Sequence, residues 1–534
     1  MNDSLAGRGP TPGRRSFLAL TGVSAAAFAL GVEAPAHAEG SDPPVPADPF
    51  GLGVASGEPS PDGVVLWTRL APNPLSPDGH GGMPRQTFTV RWEVALDERF
   101  SRVVKRGQAI ASPELAHAVH PEVRGLQPGR EYFYRFRAGD QLSPTGRTKT
   151  APAPHALAAE LRFAFASCQA WYHGYFTAYE HMAAEDLDLV LFLGDYIYEY
   201  AINSSNLWRE GVTVPSEHDA TVETLEQYRL RYSLFKSDPQ LQAIHARAPW
   251  VVTTDDHEVE NNYADDVSST GIAPADFLRR RAVAYRAFYE NIPLRSVNRP
   301  SGPDLPLYRR LRYGRLAQFD VLDTRQYRDP FPCDAETGDC PERKDPARSI
   351  LGEPQERWLY DGFGRSDAVW NVLANQIVMA QIDRDLGAGE TYSTEQWDGF
   401  PANRDRLFDA FVRHRIANPV VLTGDIHRGV AAELKADFFN PDSRTVGVEL
   451  VCTSIGSNGD GADSDSLEPI WLGQPHVKLY NARRGYVSCT MRPSELVSEF
   501  KVLPYVQRPG APISTLARFV TEAGRPGLEP EVQP

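Results

Sequence analysis

Beyond its first forty residues the sequence has no apolar run of the ~20 residues that a membrane span requires, so no transmembrane segment is expected in the mature chain. It also lacks a positive excess: 55 lysines and arginines stand against 70 aspartates and glutamates, a formal charge of -15, with no basic cluster to relieve it. Phosphate-backbone binding needs a positive field, so this balance argues against a nucleic-acid partner and against a two-metal nuclease. There is no internal repeat, and no low-complexity tract outside the N-terminus and the linkers, which argues against solenoid and disordered architectures. Cysteine is scarce, with five residues, so each can be given its own account. What remains, at 534 residues, is an ordinary globular composition with room for more than one domain and a large core.

The N-terminus reads as an export signal. Arg8, Arg14 and Arg15 precede a modest apolar run from Phe17 to Val32, and Ala36-His37-Ala38 offers a small-residue cleavage site. Arg14-Arg15-Ser16-Phe17-Leu18 resembles the twin-arginine signal, whose machinery is then a partner and exports proteins already folded and often carrying cofactors. A membrane anchor is the weaker reading, because the run is short and diluted with alanine, glycine and serine. The mature protein is expected to begin near Glu39 and to be secreted, periplasmic or cell-wall associated. In such an oxidising compartment Cys333 and Cys340 are spaced for a local disulfide. Cys452 and Cys489 lie in strand-like segments that could be bridged if they are neighbours, and Cys168 is left over.

Two proline-rich linkers divide the chain. After a signal at 1–38 and a linker at 39–48, residues 49–150 carry period-two alternation in Gly63 to Arg69, Phe88 to Val94 and Tyr132 to Arg137, separated by turn signals. Leu126-Gln127-Pro128-Gly129-Arg130-Glu131-Tyr132-Phe133-Tyr134 resembles a tyrosine corner, so a small sandwich of fibronectin type III-like form is expected, with nothing catalytic in it. From residue 155 to 534 strands alternate with helical stretches at Tyr175 to Glu185, Val222 to Leu234 and Pro274 to Asn291, which makes this part α/β.

Four apolar runs in that second part end on chemistry. Leu161 to Ser167 delivers Cys168, and Leu187 to Leu193 delivers Gly194-Asp195-Tyr196-Ile197-Tyr198. Ala248 to Thr254 delivers Asp255-Asp256-His257-Glu258, and Pro419 to Thr423 delivers Gly424-Asp425-Ile426-His427. Short runs this apolar read as buried strands of a parallel or mixed sheet, and ligands of open α/β sheets sit at the carboxyl ends of the strands. Hard oxygen donors suit calcium, magnesium or manganese, whereas thiolate, imidazole and phenolate suit iron or zinc. The set Cys168, Asp195, Tyr198, Asp256, Asp425 and His427 therefore points to unlike metals, with Asp195 the natural bridge. Two ions about 3.5 to 4 Å apart can hold a hydroxide and flank a phosphoryl group, which implies hydrolysis of a phosphate ester. Each piece alone is more often structural: a turn, an acidic helix start, a lone histidine. Their joint occurrence at strand ends carries the argument.

The order Gly-Asp, Asn-His-Glu-like box, Gly-x-x-His is similar to the calcineurin-like metallophosphoesterases. In detail the chain resembles the PhoD-type alkaline phosphatase and phosphodiesterase family. The matching stretches are Ala166-Ser167-Cys168-Gln169, Gly194 to Glu199, Asp255 to Val259, Leu322 to Arg328, Leu373-Ala374-Asn375-Gln376 and Thr423 to His427. The resemblance implies an N-terminal β-sandwich followed by an α/β/β/α metallophosphoesterase catalytic domain. It implies ferric iron on Cys168, Asp195, Tyr198 and His427, and calcium on Asp195, Asp256, Asp425 and Asn375, with Gln376 or no ligand as alternatives to Asn375 and zinc as an alternative to one metal. His257 is the candidate to bind phosphoryl oxygens or protonate the leaving group, since its unperturbed pKa of ~6.5 puts either form within reach. Arg325 is the second candidate, as a planar clamp on phosphate, against a strand-end arginine paired to Asp323 or Asp329.

The expected function is thus an exported hydrolase of phosphomonoesters or phosphodiesters, with attack by a metal-held hydroxide and no phosphoenzyme, because no serine or threonine holds a comparable strand-end position. The substrate side extends to a phospholipid or a cell-wall polymer. One rival is a phospholipase D-type phosphodiesterase; another is a non-catalytic metal- or phosphate-binding surface protein, which would be expected to have lost a ligand.

Overall fold

The computed structural model describes residues 44–45 and 48–531, so the export signal lies outside the described residues. Strands Phe88–Ala95, Val103–Ala111, Glu131–Ala138, Gln141–Leu142 and Gly146–Lys149 form a five-stranded antiparallel sheet. Its inward positions, among them Phe88, Val90, Tyr132, Tyr134 and Phe136, share one core with Val64 and Leu66 of the facing sheet. The Tyr132 hydroxyl accepts the N–H of Gln127 at 2.8 Å, the backward bond of a tyrosine corner.

The facing sheet is not private to the sandwich. Val54–Ser60 pairs antiparallel with Gly63–Arg69 on one side and parallel with Pro249–Val252 on the other. The sandwich thereby forms one end of an eleven-stranded sheet that runs on into the catalytic region.

Seven strands position the site: β1 Leu161–Ala166, β2 Leu189–Phe192, β3 Pro249–Val252, β4 Ala317–Val321, β5 Trp370–Ala374, β6 Pro419–Thr423 and β7 Thr445–Val451. β1, β2 and β3 run parallel in the large sheet. β4, β5, β6 and β7 run parallel in a second sheet of seven strands. In β2, Leu189 and Leu191 face the core between the sheets, where they meet Phe163, Phe319, Val372 and Leu422. Val190 and Phe192 face the outer core under helices Leu225–Lys236, Pro239–Arg247 and Pro274–Asn291. Such a strand must be apolar on both faces, and each side chain so buried contributes roughly 1.5 to 3 kcal/mol. Gly352–Phe363 and Pro401–Arg413 cover the other sheet through Leu373, Val421 and Val451, completing an α/β/β/α stack. No helix among the described residues is long and apolar enough to cross a membrane.

Local signals set the helix limits. Thr224 accepts the N–H of Gln227, whose side chain reaches back in a capping box, so the helix read at Val222 to Leu234 begins at Leu225. Pro274 opens the longest helix at its first turn, where a missing N–H costs nothing.

Cys333 and Cys340 are joined in a disulfide. The expected pairing of Cys452 with Cys489 is corrected: both thiols are free and buried. Cys452 follows β7 in the seven-stranded sheet, while Cys489 lies in Arg484–Met491 of the eleven-stranded one. Stacked sheets pack about 10 Å apart, beyond the reach of a disulfide. Each thiol instead sits beside a hydroxyl, Cys452 Sγ 3.4 Å from Ser167 Oγ and Cys489 Sγ 3.8 Å from Ser498 Oγ.

Candidate metal centre and active site

The carboxyl ends of the two parallel strand sets converge. A bridge between Ser167 and Ser454 joins the end of β1 to the segment after β7, and Gln376 beyond β5 donates to Thr253 beyond β3 at 3.0 Å. Three loops then turn abruptly. Cys168, Asp195, Asp425 and His427 all have positive φ, of 59°, 60°, 66° and 56°. This region is uncommon for residues with a Cβ, and a cluster of four such residues on three loops is what functional strain looks like. Gly194, at φ 108°, allows the closest approach: a Cβ there would lie 2.4 Å from that of Asp255.

These turns bring the expected residues together. Cys168 Sγ, an Asp195 oxygen and a His427 nitrogen lie within 4.8 Å of one another, and so do Asp195, Asp256 and His257, and Asp255, Asp256 and Asp425. Asp195 belongs to the first two groups and Asp256 to the last two. The Tyr198 hydroxyl completes the first, 3.0 Å from Asp195 Oδ2, 3.1 Å from His427 Nε2 and 2.8 Å from Ser457 Oγ. Ser167, beside the thiol, is fully buried, with its hydroxyl bonded to Cys168 and Cys452.

Without cations this is an uncomfortable arrangement. Burial pushes the Asp195 and Asp425 carboxyls up, helped by neighbouring carboxylates. Burial likewise raises the Cys168 thiol and the Tyr198 phenol, with Asp195 adding to both. For Asp255 burial outweighs Arg325 and lifts it to about 7; for Asp256 burial is overcome by Arg325 and His257, and its carboxyl is held low. His427 is pushed down by burial and by Arg484. Asp195 Oδ1, Asp255 Oδ2 and Asp256 Oδ1 are buried without any hydrogen-bond partner. Buried carboxylate oxygens left unpaired are costly, and a bound cation supplies what they lack. A neutral imidazole, a thiol and carboxyls sharing one pocket fit a metal centre.

The other expected residues have partners of their own. His257 Nδ1 lies 2.8 Å from Glu199 Oε2, and its ring packs 4.2 Å from that of Tyr198. Burial opposes its protonation, but Asp256, Glu199 and Asp195 outweigh burial and raise its pKa. Arg325 is fully buried, paired at 2.5 Å with both Asp255 and Glu395, and within 3.9 Å of Asp425. Its expected alternative partners Asp323 and Asp329 are replaced by these site carboxylates; from Arg325, the Asp323 carboxylate accepts the backbone N–H alone, and its other bonds are to Gln326. Asn375, expected on the calcium, is engaged elsewhere: its oxygen accepts from Trp397 Nε1 at 3.2 Å and its nitrogen donates to Ile377 O and Thr423 Oγ1. Gln376, the alternative, is likewise taken up by Thr253, Leu322 and Thr324. Tyr172 and Tyr196 are fully buried, whereas Tyr200 is 41 % exposed and lies 5.2 Å from the His257 ring.

Three residues carry weight that the sequence reading left unassigned. Glu258 Oε2 accepts the N–H of Asp255 at 2.8 Å and of Asp195 at 3.3 Å, while Oε1 accepts that of Tyr196 at 2.5 Å, so one carboxylate ties two ligand loops together. Glu395 balances Arg325, and Gln396 Nε2 donates to Asp425 Oδ2 at 2.7 Å. Glu258 had a signal, since it stands in the same strand-end box. Glu395 and Gln396 had none, because they come from an irregular segment after the short strand Tyr392–Ser393.

Comparison with known proteins agrees with this geometry. The family model described as PhoD-like phosphatase matches residues 163–500, and that of the PhoD-like phosphatase N-terminal domain matches 35–152. Alkaline phosphatase D of Bacillus subtilis (strain 168) is 49 % identical over 482 residues, covering 90 % of this chain and 82 % of that protein. A solved structure described as PhoD superposes with a TM-score of 0.88 at 48 % identity, over 92 % of this chain and 94 % of that one.

Proposed function

Because the chain belongs to the PhoD-like phosphatase family and is a phosphoric ester hydrolase, we propose that it is an exported alkaline phosphatase with phosphodiesterase activity, working through iron and calcium at the strand-end cluster. The observation that carries the metal reading is the sharing of Asp195 between a thiol, phenol and imidazole group on one side and a carboxylate group on the other. Cys168, Asp195, Tyr198 and His427 would hold ferric iron, and Asp195, Asp256 and Asp425 would hold calcium, with zinc the alternative for one of them. Asn375 is left out of this ligand set, since its amide is already spent. When bound, the cations neutralise the buried carboxylates, draw charge from the phosphoryl oxygens and lower the pKa of water at the site.

The protein's own groups do the rest. Arg325, enclosed by four carboxylates, acts as an internal counter-charge that holds Asp255, Asp256 and Asp425 in register. In hydrolysis a water oxygen bonds to phosphorus as the bond to the alcohol oxygen breaks; the water loses a proton and the departing oxygen gains one. His257 is our candidate to give that proton: Glu199 holds its Nδ1, and its ring belongs to one group with Asp195 and Asp256. Ser167, the hydroxyl beside the cluster thiol, is buried and bonded to Cys168 and Cys452, which fits attack by water in place of that serine.

The test is elemental analysis of the mature protein purified without added metal, beside hydrolysis of a chromogenic phosphomonoester, a phosphodiester and a phospholipid before and after chelation. Iron with calcium and chelator-sensitive turnover are expected, and the substrate ratios rank phosphatase, phosphodiesterase and phospholipase D-type activity. A metal-free protein that stays inactive when iron, zinc and calcium are resupplied would refute the catalytic reading. The presence of the signal peptide's product in the exported fraction, lost on Arg14→Lys/Arg15→Lys, tests the twin-arginine route.

A further inference from the structure

A cavity of about 260 Å³ adjoins the cluster. Two residues link it to the site. Gln396 lines the cavity while its amide donates to Asp425, and Ile426 lines it from between Asp425 and His427. Half of its lining residues are apolar, namely Val378, Ile382, Ile426, Leu467 and Trp471.

The polar groups in it divide cleanly. Asp398 is spent on Arg404 and the N–H of Ile382, and Arg428 on Asp465 and the carbonyl of Ile426. The groups with no partner among the described residues are the Arg384 guanidinium, the Ser393 hydroxyl and the Trp471 indole N–H, so a cation, a hydroxyl and a second donor remain with no free carboxylate among them. A half-apolar chamber with a spare cation and spare donors selects a carbon chain that carries an oxyanion.

We infer that this cavity receives the organic arm of a phosphodiester and that Arg384 reads a second oxyanion on that arm. The inference rests on the hydrolase reading above and adds a specificity-determining subsite to it. Arg384 touches neither the metal ligands nor the reacting phosphorus, so it acts on the choice of ester.

The test compares 4-nitrophenyl 3-carboxypropyl phosphate with 4-nitrophenyl butyl phosphate, with 4-nitrophenyl phosphate as the reference monoester. The two diesters share their leaving group, so a difference between them reports the arm alone. The wild-type protein should prefer the carboxylated arm by roughly tenfold in kcat/KM, expressed mainly in KM, which is the scale of one charge-assisted hydrogen bond. Arg384→Gln should bring that ratio to near one and Arg384→Lys should restore part of it. Leu467→Trp, which fills the chamber, should lower the ratio of diester to monoester turnover. A ratio near one in the wild type, a ratio untouched by Arg384→Gln, or hydrolysis of the monoester with neither diester accepted would each overturn the assignment. Failure to hydrolyse all three esters would refute the hydrolase reading beneath it.

Discussion

Glu258 offers the sharpest test of how the site is held. Its two oxygens accept three backbone N–H groups, from Asp195, Tyr196 and Asp255, in a fully buried position. Glu258→Gln preserves the volume but replaces one oxygen with a donor, which then faces an N–H with nothing to give it. If the amide oxygen keeps the pair from Asp195 and Asp255, Tyr196 N–H is orphaned at a cost of about 1 to 3 kcal/mol. Burial lifts the pKa of the Glu258 carboxyl to about 8, so above that pH, where it is ionised, the two remaining bonds also lose their charge assistance, at roughly 1 kcal/mol each, and the sum is about 3 to 5 kcal/mol. That strain falls on the two turns that present Asp195 and Asp256, and a misplacement near 1 Å at a reacting centre costs on the order of a hundredfold in rate. The variant is expected to fold, by circular dichroism, with a lowered thermal midpoint, a reduced metal content and kcat reduced about a hundredfold at little-changed KM. Wild-type kcat together with full metal occupancy would show that this carboxylate does not position the ligand loops.

Three more substitutions probe single bonds. Tyr198→Phe should abolish a tyrosinate-to-iron absorption band while leaving the fold intact; retention of the band would place the phenolate elsewhere. His257→Asn should slow esters with poor leaving groups by roughly 10² to 10⁴-fold while affecting 4-nitrophenyl esters far less, and an equal loss on both, read from a leaving-group series, would remove it as the proton donor. Tyr132→Phe should lower stability to denaturant by about 1 kcal/mol through loss of the bond to Gln127, with kcat unchanged; a change in kcat would contradict the separation of that corner from the chemistry.

Much of this architecture is legible in the sequence because its strands are buried on both faces. β2 shows no alternation to be misread, only an apolar run stopped by Gly194; β6 likewise stops at Gly424, and β3 is as apolar but runs on through Thr253 and Thr254 to Asp255. The structure then brings Cys168, Asp195, Tyr198, Asp256, Asp425 and His427 to one place, as their strand-end positions suggested. Asn375 follows the same rule, yet its side chain is bonded to Trp397 and Thr423. Strand-end position places a backbone; it does not aim a side chain. The pairing of Cys452 with Cys489 failed for a related reason, since strand-like segments carry no mark of the sheet they join. The partners of Arg325 were out of reach because Glu395 comes from a segment without periodicity, and the cavity beside it is built from the same kind of irregular backbone.

The shared eleven-stranded sheet has a bearing on how the chain is made. Val54–Ser60 is among the first strands to leave a ribosome, yet its parallel neighbour Pro249–Val252 is synthesised far later. Until then the earlier strand presents an open row of amides and carbonyls, the kind of edge that recruits strangers. The N-terminal unit is therefore completed from downstream, and a fragment ending at the second linker would be a poor candidate for expression by itself. Closing that edge and assembling the floor beneath Asp256 are one event in the life of the chain, since a single strand does both.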